Sequence, residues 1–257
     1  MRKKLNIATK KLEREILAGT FKPGDRLPAE RALSLRYGVS RSILREGIRH
    51  LSSMGLVRTE AQSGTYVTDY RKEASLDFLL YLLDNNEPLD PELFRAINEL
   101  REILESGCAS RAAARSDPER VRALRSALAA LRAEEGDPEG LAAKDYEFHA
   151  LFVEQTDNLA LQLLFHAFRS VYLYYARCFY AEPESASATF SQLECFLDRV
   201  EARDESGAAA ALSLALAYGR DRVYRALSLD SNAPAISTAR SNLKEVPHED
   251  HGFPVRD

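Results

Sequence analysis

The chain has 257 residues, of which 45% are hydrophobic, enough to bury a sizeable core and to suggest two domains rather than one, and its formal net charge is −4. No run approaches the about 18 apolar residues that span a bilayer, and no apolar segment follows the basic residues 2–4, so neither membrane insertion nor secretion is expected and a cytoplasmic location is. Cys108, Cys178 and Cys195 are odd in number and widely spaced, which excludes a closed disulfide framework and a CxxC metal knuckle and leaves buried free thiols as the expectation.

The charge is unevenly spread. Residues 1–69 hold 14 Lys and Arg against 7 Asp and Glu, a net of +7, whereas residues 70–257 hold 21 against 32, a net of −11. A basic segment on an otherwise acidic chain points to nucleic acid as the partner of that segment.

In chain order, Leu5, Ala8, Leu12 and Ile16 give a first amphipathic helix ending at Gly19. A second helix is expected to begin at Pro28-Ala29, with Ala32, Leu33 and Leu35 apolar, and to stop at Tyr37-Gly38. Ser40 is placed to cap a third helix, in which Leu44, Ile48 and Leu51 share one side. At about 100° per residue, Arg41, Arg45 and Arg49 fall on a stripe roughly 80° wide on the other side, with Ser42 beside them. After Met54-Gly55, LVRTE and TYVT alternate around Ala61-Gln62-Ser63-Gly64, which predicts a two-stranded hairpin with a glycine at its tip. Three helices and a wing in this order form a winged helix-turn-helix, the third helix being the one that docks in a major groove.

Residues 70–89 read as a packed linker helix, with Leu76, Phe78, Leu79, Leu80, Leu82 and Leu83 as its apolar patch. From Asp90 the pattern is helical throughout, and Asp90-Pro91, Asp117-Pro118 and Asp137-Pro138 each place a capping acid before a proline at the first helical position. Helices are expected over 91–115, 118–135, 138–155, 159–181, 188–203 and 205–229. The fold class is therefore mainly α, a winged helix-turn-helix over 1–69 followed by an antiparallel all-α bundle over 90–230. Residues 231–257 lack any period and are expected to be disordered, which leaves His248 and His251 poor metal ligands.

PGDRLPAERAL followed by GVSRSILREGIRHLSSMGLV resembles the DNA-binding signature of the GntR family of bacterial transcription regulators. The resemblance implies double-stranded operator DNA as partner: Arg31 on phosphate, Arg41 and Arg45 with Ser40 and Ser42 on bases and backbone, Arg49 bracing the same helix, and Ser63-Gly64 entering the minor groove. The tip AQSG carries no basic residue where relatives often place one.

The bundle is similar to the FCD effector and dimerisation domain of the FadR subgroup. Asp145 and His149 match the first pair of the metal ligands common in FCD domains, but Leu193 stands at the third ligand position and Tyr218, or Ala215 without a gap, at the fourth. EASLDFLLYLL, AKDYEFHALF, CFYAEPESAS and AYG look instead like the fatty-acid-responsive members, which implies a repressor of fatty acid metabolism with a fatty acyl-CoA effector and no other cofactor. On that resemblance Arg101 is a polar anchor, Phe179 meets the acyl chain, Tyr218-Gly219 line the pocket, and Tyr172, Leu193 and Arg222 join the effector site with Asp145 and His149. An ion pair to Glu105 is the plain alternative for Arg101. The alternative effector is a small carboxylate on a divalent metal such as zinc or nickel at Asp145 and His149, with Glu194 as a third ligand. No HExxH, GxSxG or phosphate-cradling loop is present, so a homodimeric regulator is expected rather than an enzyme.

Overall fold

A computed structural model describes residues 2–85 and 91–227 of the chain, which divides into two compact units near residue 87. Among the described residues no helix is long and apolar enough to cross a membrane. The first unit comprises α1 (Arg2–Leu17), α2 (Glu30–Tyr37), α3 (Arg41–Ser53), the strands β1 (Val57–Glu60) and β2 (Gly64–Val67), and the short helices α4 (Tyr70–Glu73) and α5 (Leu76–Asn85). The strands pair antiparallel, from Val57 opposite Val67 to Glu60 opposite Gly64.

The apolar periodicity folds as its spacing requires. Leu12, Leu33, Leu44, Leu51, Leu56 and Val67 meet in one core, and the wing is tied to it through the stretch before α2. Here the helix starts two residues later than expected, at Glu30. The Gly24 and Leu27 amides donate to the Val67 and Thr65 carbonyls, and the Val67 amide to the Asp25 carbonyl, so residues 25–27 run along β2 and Pro28-Ala29 continue that path. Gly38 ends α2 at φ 69°, and its amide donates back to Leu35. Gly55 is required more strictly: at φ 81°, a Cβ would lie 2.4 Å from the Glu73 carbonyl oxygen. Linker residues are thus part of this unit, with Phe78 and Leu83 buried and the Tyr81 hydroxyl donating to Glu13 at 2.7 Å. The expected single linker helix is interrupted between α4 and α5, where the Ser75 amide donates to Met54 instead.

The second unit is a helical bundle of α6 (Pro91–Ala114), α7 (Pro118–Ala133), α8 (Pro138–Glu154), α9 (Leu159–Ala167), α10 (Arg169–Tyr180), α11 (Ser185–Glu201) and α12 (Glu205–Ala226). Asp117 and Asp137 cap α7 and α8, accepting from the Glu119 and Glu139 amides, with prolines at the first helical positions. Phe94, Phe148, Phe152 and Phe196 are fully buried at the centre.

Three expectations need correction. The helix expected over 159–181 is two, because the Phe168 amide turns back to Phe165 at 3.2 Å in a tight turn that no Gly or Pro marks. The helix expected from 188 begins at Ser185, since Glu184 adopts φ 65° and its carbonyl already accepts from Ala188. Cys195 is exposed, unlike Cys108 and Cys178. The Asp90 cap and the tail over 231–257 with His248 and His251 lie outside the described residues.

Candidate functional site

On the first unit, α3 carries the basic face. Ser40 caps it, accepting from the Ile43 amide at 3.3 Å, and its hydroxyl lies 3.0 Å from that of Ser42. Leu44, Ile48 and Leu51 are buried, which turns Arg41, Ser42, Arg45 and Arg49 outward, all exposed, with Arg31 exposed on the first turn of α2. Arg45 is not free: its Nε donates to Glu30 at 2.6 Å, which ties α3 to the start of α2. At the wing, Ser63 and Tyr66 share a hydrogen bond of 2.7 Å. Although the tip has no basic residue of its own, Arg26 is folded against it, with its Nε 2.7 Å from where a Cβ on Gly64 would stand. Sequence reasoning missed Arg26, which lies 38 positions away in the chain. The only signal for it was a lone arginine before Leu27-Pro28.

Inside the bundle, α6, α8 and α10 build a closed ring of five side chains. Arg101 donates to Glu105 one turn on, and Glu105 meets Nδ1 of His149 with its other oxygen. His149 Nε2 stands 3.8 Å from Asp145, which accepts from the Tyr172 hydroxyl at 2.7 Å. The Tyr172 ring lies 4.3 Å beneath the Arg101 guanidinium, closing the ring with a cation–π contact. Glu105, His149, Asp145 and Tyr172 are buried. Burial pushes the Glu105 carboxyl up, but Arg101 and His149 outweigh it and hold it down at about 2. Burial also works against the Arg101 charge, and Glu105 and Tyr172 reverse that effect. Burial, then Asp145, raises the Tyr172 hydroxyl well above the usual tyrosine value.

This ring separates two cavities. One, of about 70 Å³, is lined by Arg101, Asp145, His149, Phe179, Leu193 and Gly219, with Gln192 and Arg220 among its further polar residues. The other, of about 80 Å³, lies under α9, and Tyr172 lines that one. Tyr218 and Arg222 belong to neither: Arg222 donates to the Tyr218 hydroxyl at 3.0 Å and to the Pro183 carbonyl at 2.9 Å, and the Tyr218 ring packs edge-on against Phe179, one of the lining residues. Glu105 is the central residue that the sequence reading placed only as a partner of Arg101. Two i, i+4 pairs, Arg101/Glu105 and Asp145/His149, were the available signal.

A divalent metal fits poorly here. Among the described residues no group of three His, Cys, Asp or Glu side chains is placed to hold one. Glu194, the expected third ligand, pairs instead with Arg125 and Arg132.

A winged helix with a basic helix face, joined in one chain to a helical bundle around a polar-centred cavity, defines a two-module regulatory protein. The chain belongs to the GntR family: residues 6–67 match the model "Bacterial regulatory proteins, gntR family", and residues 96–217 match the FCD domain. An HTH-type transcriptional regulator of Mycobacterium tuberculosis is 33% identical over 158 residues, 62% of this chain and 65% of that protein, so the alignment spans just under two thirds of that relative. The fatty acid metabolism regulator protein of Shewanella frigidimarina is 29% identical over 72% of this chain and 75% of its own length. The galactonate operon transcriptional repressor of Escherichia coli is 27% identical over 77% and 86%. A solved structure of Lar, described as controlling the Listeria monocytogenes agr system, shares the fold at a TM-score of 0.52 and 18% identity, covering 86% of this chain and 96% of that one. The matched families and relatives are regulators, not enzymes.

Proposed function

We propose that this chain is a cytoplasmic bacterial transcription regulator that binds operator DNA as a homodimer and changes its affinity when an effector enters the bundle. The observation that carries the DNA part is the outward face of α3, where three arginines and two serines stand free of the core. Such a helix docks in a major groove, and one winged helix offers too little contact for specificity, which favours two copies on a two-fold site. Arg26 supplies at the wing the positive charge that the AQSG tip lacks. An operator selected from random duplexes, followed by titration of Arg41→Ala/Arg45→Ala, tests this. Unchanged affinity in a folded variant would remove α3 from the interface.

For the effector we favour a fatty acyl group, as an acyl-CoA or related fatty acid, over a metal-bound carboxylate. Supporting it are an apolar cavity beside a charged anchor, Arg101, and the absence of a third metal ligand among the described residues. The relatives' names point to different metabolites, fatty acid in one case and galactonate in another. Acyl-CoA added to the protein–operator complex should alter operator affinity by the same factor with which operator alters acyl-CoA affinity. Stoichiometric zinc or nickel in purified protein, with no response to any acyl-CoA, would decide for the carboxylate alternative.

A further inference from the structure

The cavity under α9 has one polar wall and otherwise apolar ones. Asn98, Arg101 and Glu105 occupy successive turns of α6 on one side, whereas Leu104, Val153, Leu161, Phe165 and Phe168 face it from α6, α8, α9 and the α9–α10 turn. Arg101, Asn98 and Tyr175 also line the Asp145/His149 cavity, so the two spaces share a wall. Arg101 keeps 31% of its side chain exposed although Glu105 on α6 and Tyr172 on α10 close around it.

Its roof is unusual. Helix α9, LALQLLFHA, is apolar at all positions but Gln162 and His166, yet none of its residues is buried. A nine-residue helix of this composition is ordinarily held by the area it buries. Leu161 and Phe165 instead face the cavity, where an occupant of matching chemistry would cover them.

We propose that the α9 cavity is a second ligand subsite, which takes a short alkyl tail of about four to eight carbons while the carbonyl or carboxylate head of the same molecule meets Arg101. This rests on the bundle being an effector domain and specifies where in it the chain lies: beneath α9, away from the Phe179 and Gly219 side. The chemical class follows from the walls, because the mostly apolar surface rewards an alkyl chain, while Arg101, paired through Nε with Glu105 in the same wall, keeps further N–H donors for one polar end. The length follows from the volume. About 80 Å³ is roughly half of the ~150 Å³ apolar cavity that accepts benzene, so four carbons enter with little rearrangement and longer chains only by displacing the roof.

Calorimetric titration of the full chain with butyryl-, hexanoyl-, octanoyl-, decanoyl- and palmitoyl-CoA, and with the free acids, reads the chain length directly. Affinity is expected to rise from butyryl to octanoyl by at most about fourfold per methylene, less the cost of displacing the roof, and then to level off or fall. Leu104→Trp, which fills the cavity, should weaken both butyryl-CoA and octanoyl-CoA, octanoyl-CoA at least tenfold. Phe165→Ala, which enlarges it, should move the optimum longer by two carbons or more, and serves if the tryptophan variant does not fold. An optimum unmoved by both variants, or moved instead by Gly219→Phe, would overturn the subsite and leave the effector function standing. Failure of every acyl compound to bind would overturn the subsite too, and native mass spectrometry of the freshly purified protein would then show separately whether the bundle carries another effector.

Discussion

Glu105 on α6 and His149 on α8, 44 residues apart in the chain, meet as carboxylate and imidazole in the interior of the bundle. The pair ties two helices together at the point where Arg101 enters, and it makes the bundle's stability depend on pH. The folded Glu105 carboxyl is held at about 2, below its ordinary value of about 4.5, so its contribution is present above pH 4.5 and lost as pH falls toward 2. The difference corresponds to roughly 3 kcal/mol at neutral pH. Glu105→Gln should cost about that much at pH 7 and little at pH 2.5, as denaturant titrations at the two pH values would show. An equal loss at both would mean that packing, not charge, holds the site.

Tyr172 has two separable roles, and substitution distinguishes them. Tyr172→Phe keeps the ring under Arg101 but removes the hydroxyl that donates to Asp145 at 2.7 Å, leaving a buried carboxylate short of a donor at a cost of about 1–3 kcal/mol. Tyr172→Leu should cost more, by the about 0.5–2 kcal/mol of a shielded cation–π contact. Equal stability of the two variants by urea unfolding would show that the ring contributes no such attraction.

The fold was legible because its signals are local. Ser40, Asp117 and Asp137 announce helix starts by capping chemistry, and the Leu44/Ile48/Leu51 spacing fixes which side of α3 faces out. What the sequence hid depends on contacts between distant segments. The Phe168 turn follows no Gly or Pro, the Pro28-Ala29 path is set by hydrogen bonds to β2, and Arg26 reaches Gly64 only once the wing has formed. At the bundle site, resemblance brought Tyr218 and Arg222 into the effector list by position, and the two are hydrogen-bonded to each other, with Tyr218 one ring behind the lining residue Phe179.

Helix α12 offers a test that separates stability from the preferred chain length of the ligand. Gly219 is mid-helix and lines the Asp145/His149 cavity, and a Cβ there meets nothing within 4 Å. Gly219→Ala should therefore stabilise the bundle by about 0.5–1 kcal/mol through helix propensity. Gly219→Phe should fill that cavity and leave the preferred acyl chain length unchanged, since the chain lies beneath α9. Destabilisation by alanine, read from the melting temperature, would show that the helix needs the glycine for another reason.

At the DNA face, Glu30 holds Arg45 at 2.6 Å, and both are substantially exposed, so the pair contributes at most about 1 kcal/mol to folding. A phosphate competes directly with Glu30 for that guanidinium. Glu30→Ala should leave the melting temperature nearly unchanged, tighten DNA binding several-fold at low salt, and steepen the dependence of log affinity on log salt by about one contact. A slope identical to that of the parent would place Arg45 off the phosphates.

Arg26 and Gly64 provide the sharpest test of how the wing reads DNA. Gly64 adopts φ 135°, and any side chain there is both strained and driven into Arg26, whose Nε lies 2.7 Å from the Cβ position. The tip therefore works as a seat for an arginine delivered from before α2. Arginine inserted at a narrow minor groove senses groove width, which A-tracts set, without contacting a unique base pattern. Arg26→Ala should weaken operator binding about tenfold without altering the fold, and Arg26→Lys should restore only the part due to charge. The decisive comparison is a double cycle between Arg26→Ala and replacement of an A-tract flank by G·C pairs. If Arg26 reads the groove, the two losses are not additive, and the G·C operator binds parent and variant almost equally. Fully additive losses would assign Arg26 to phosphate alone.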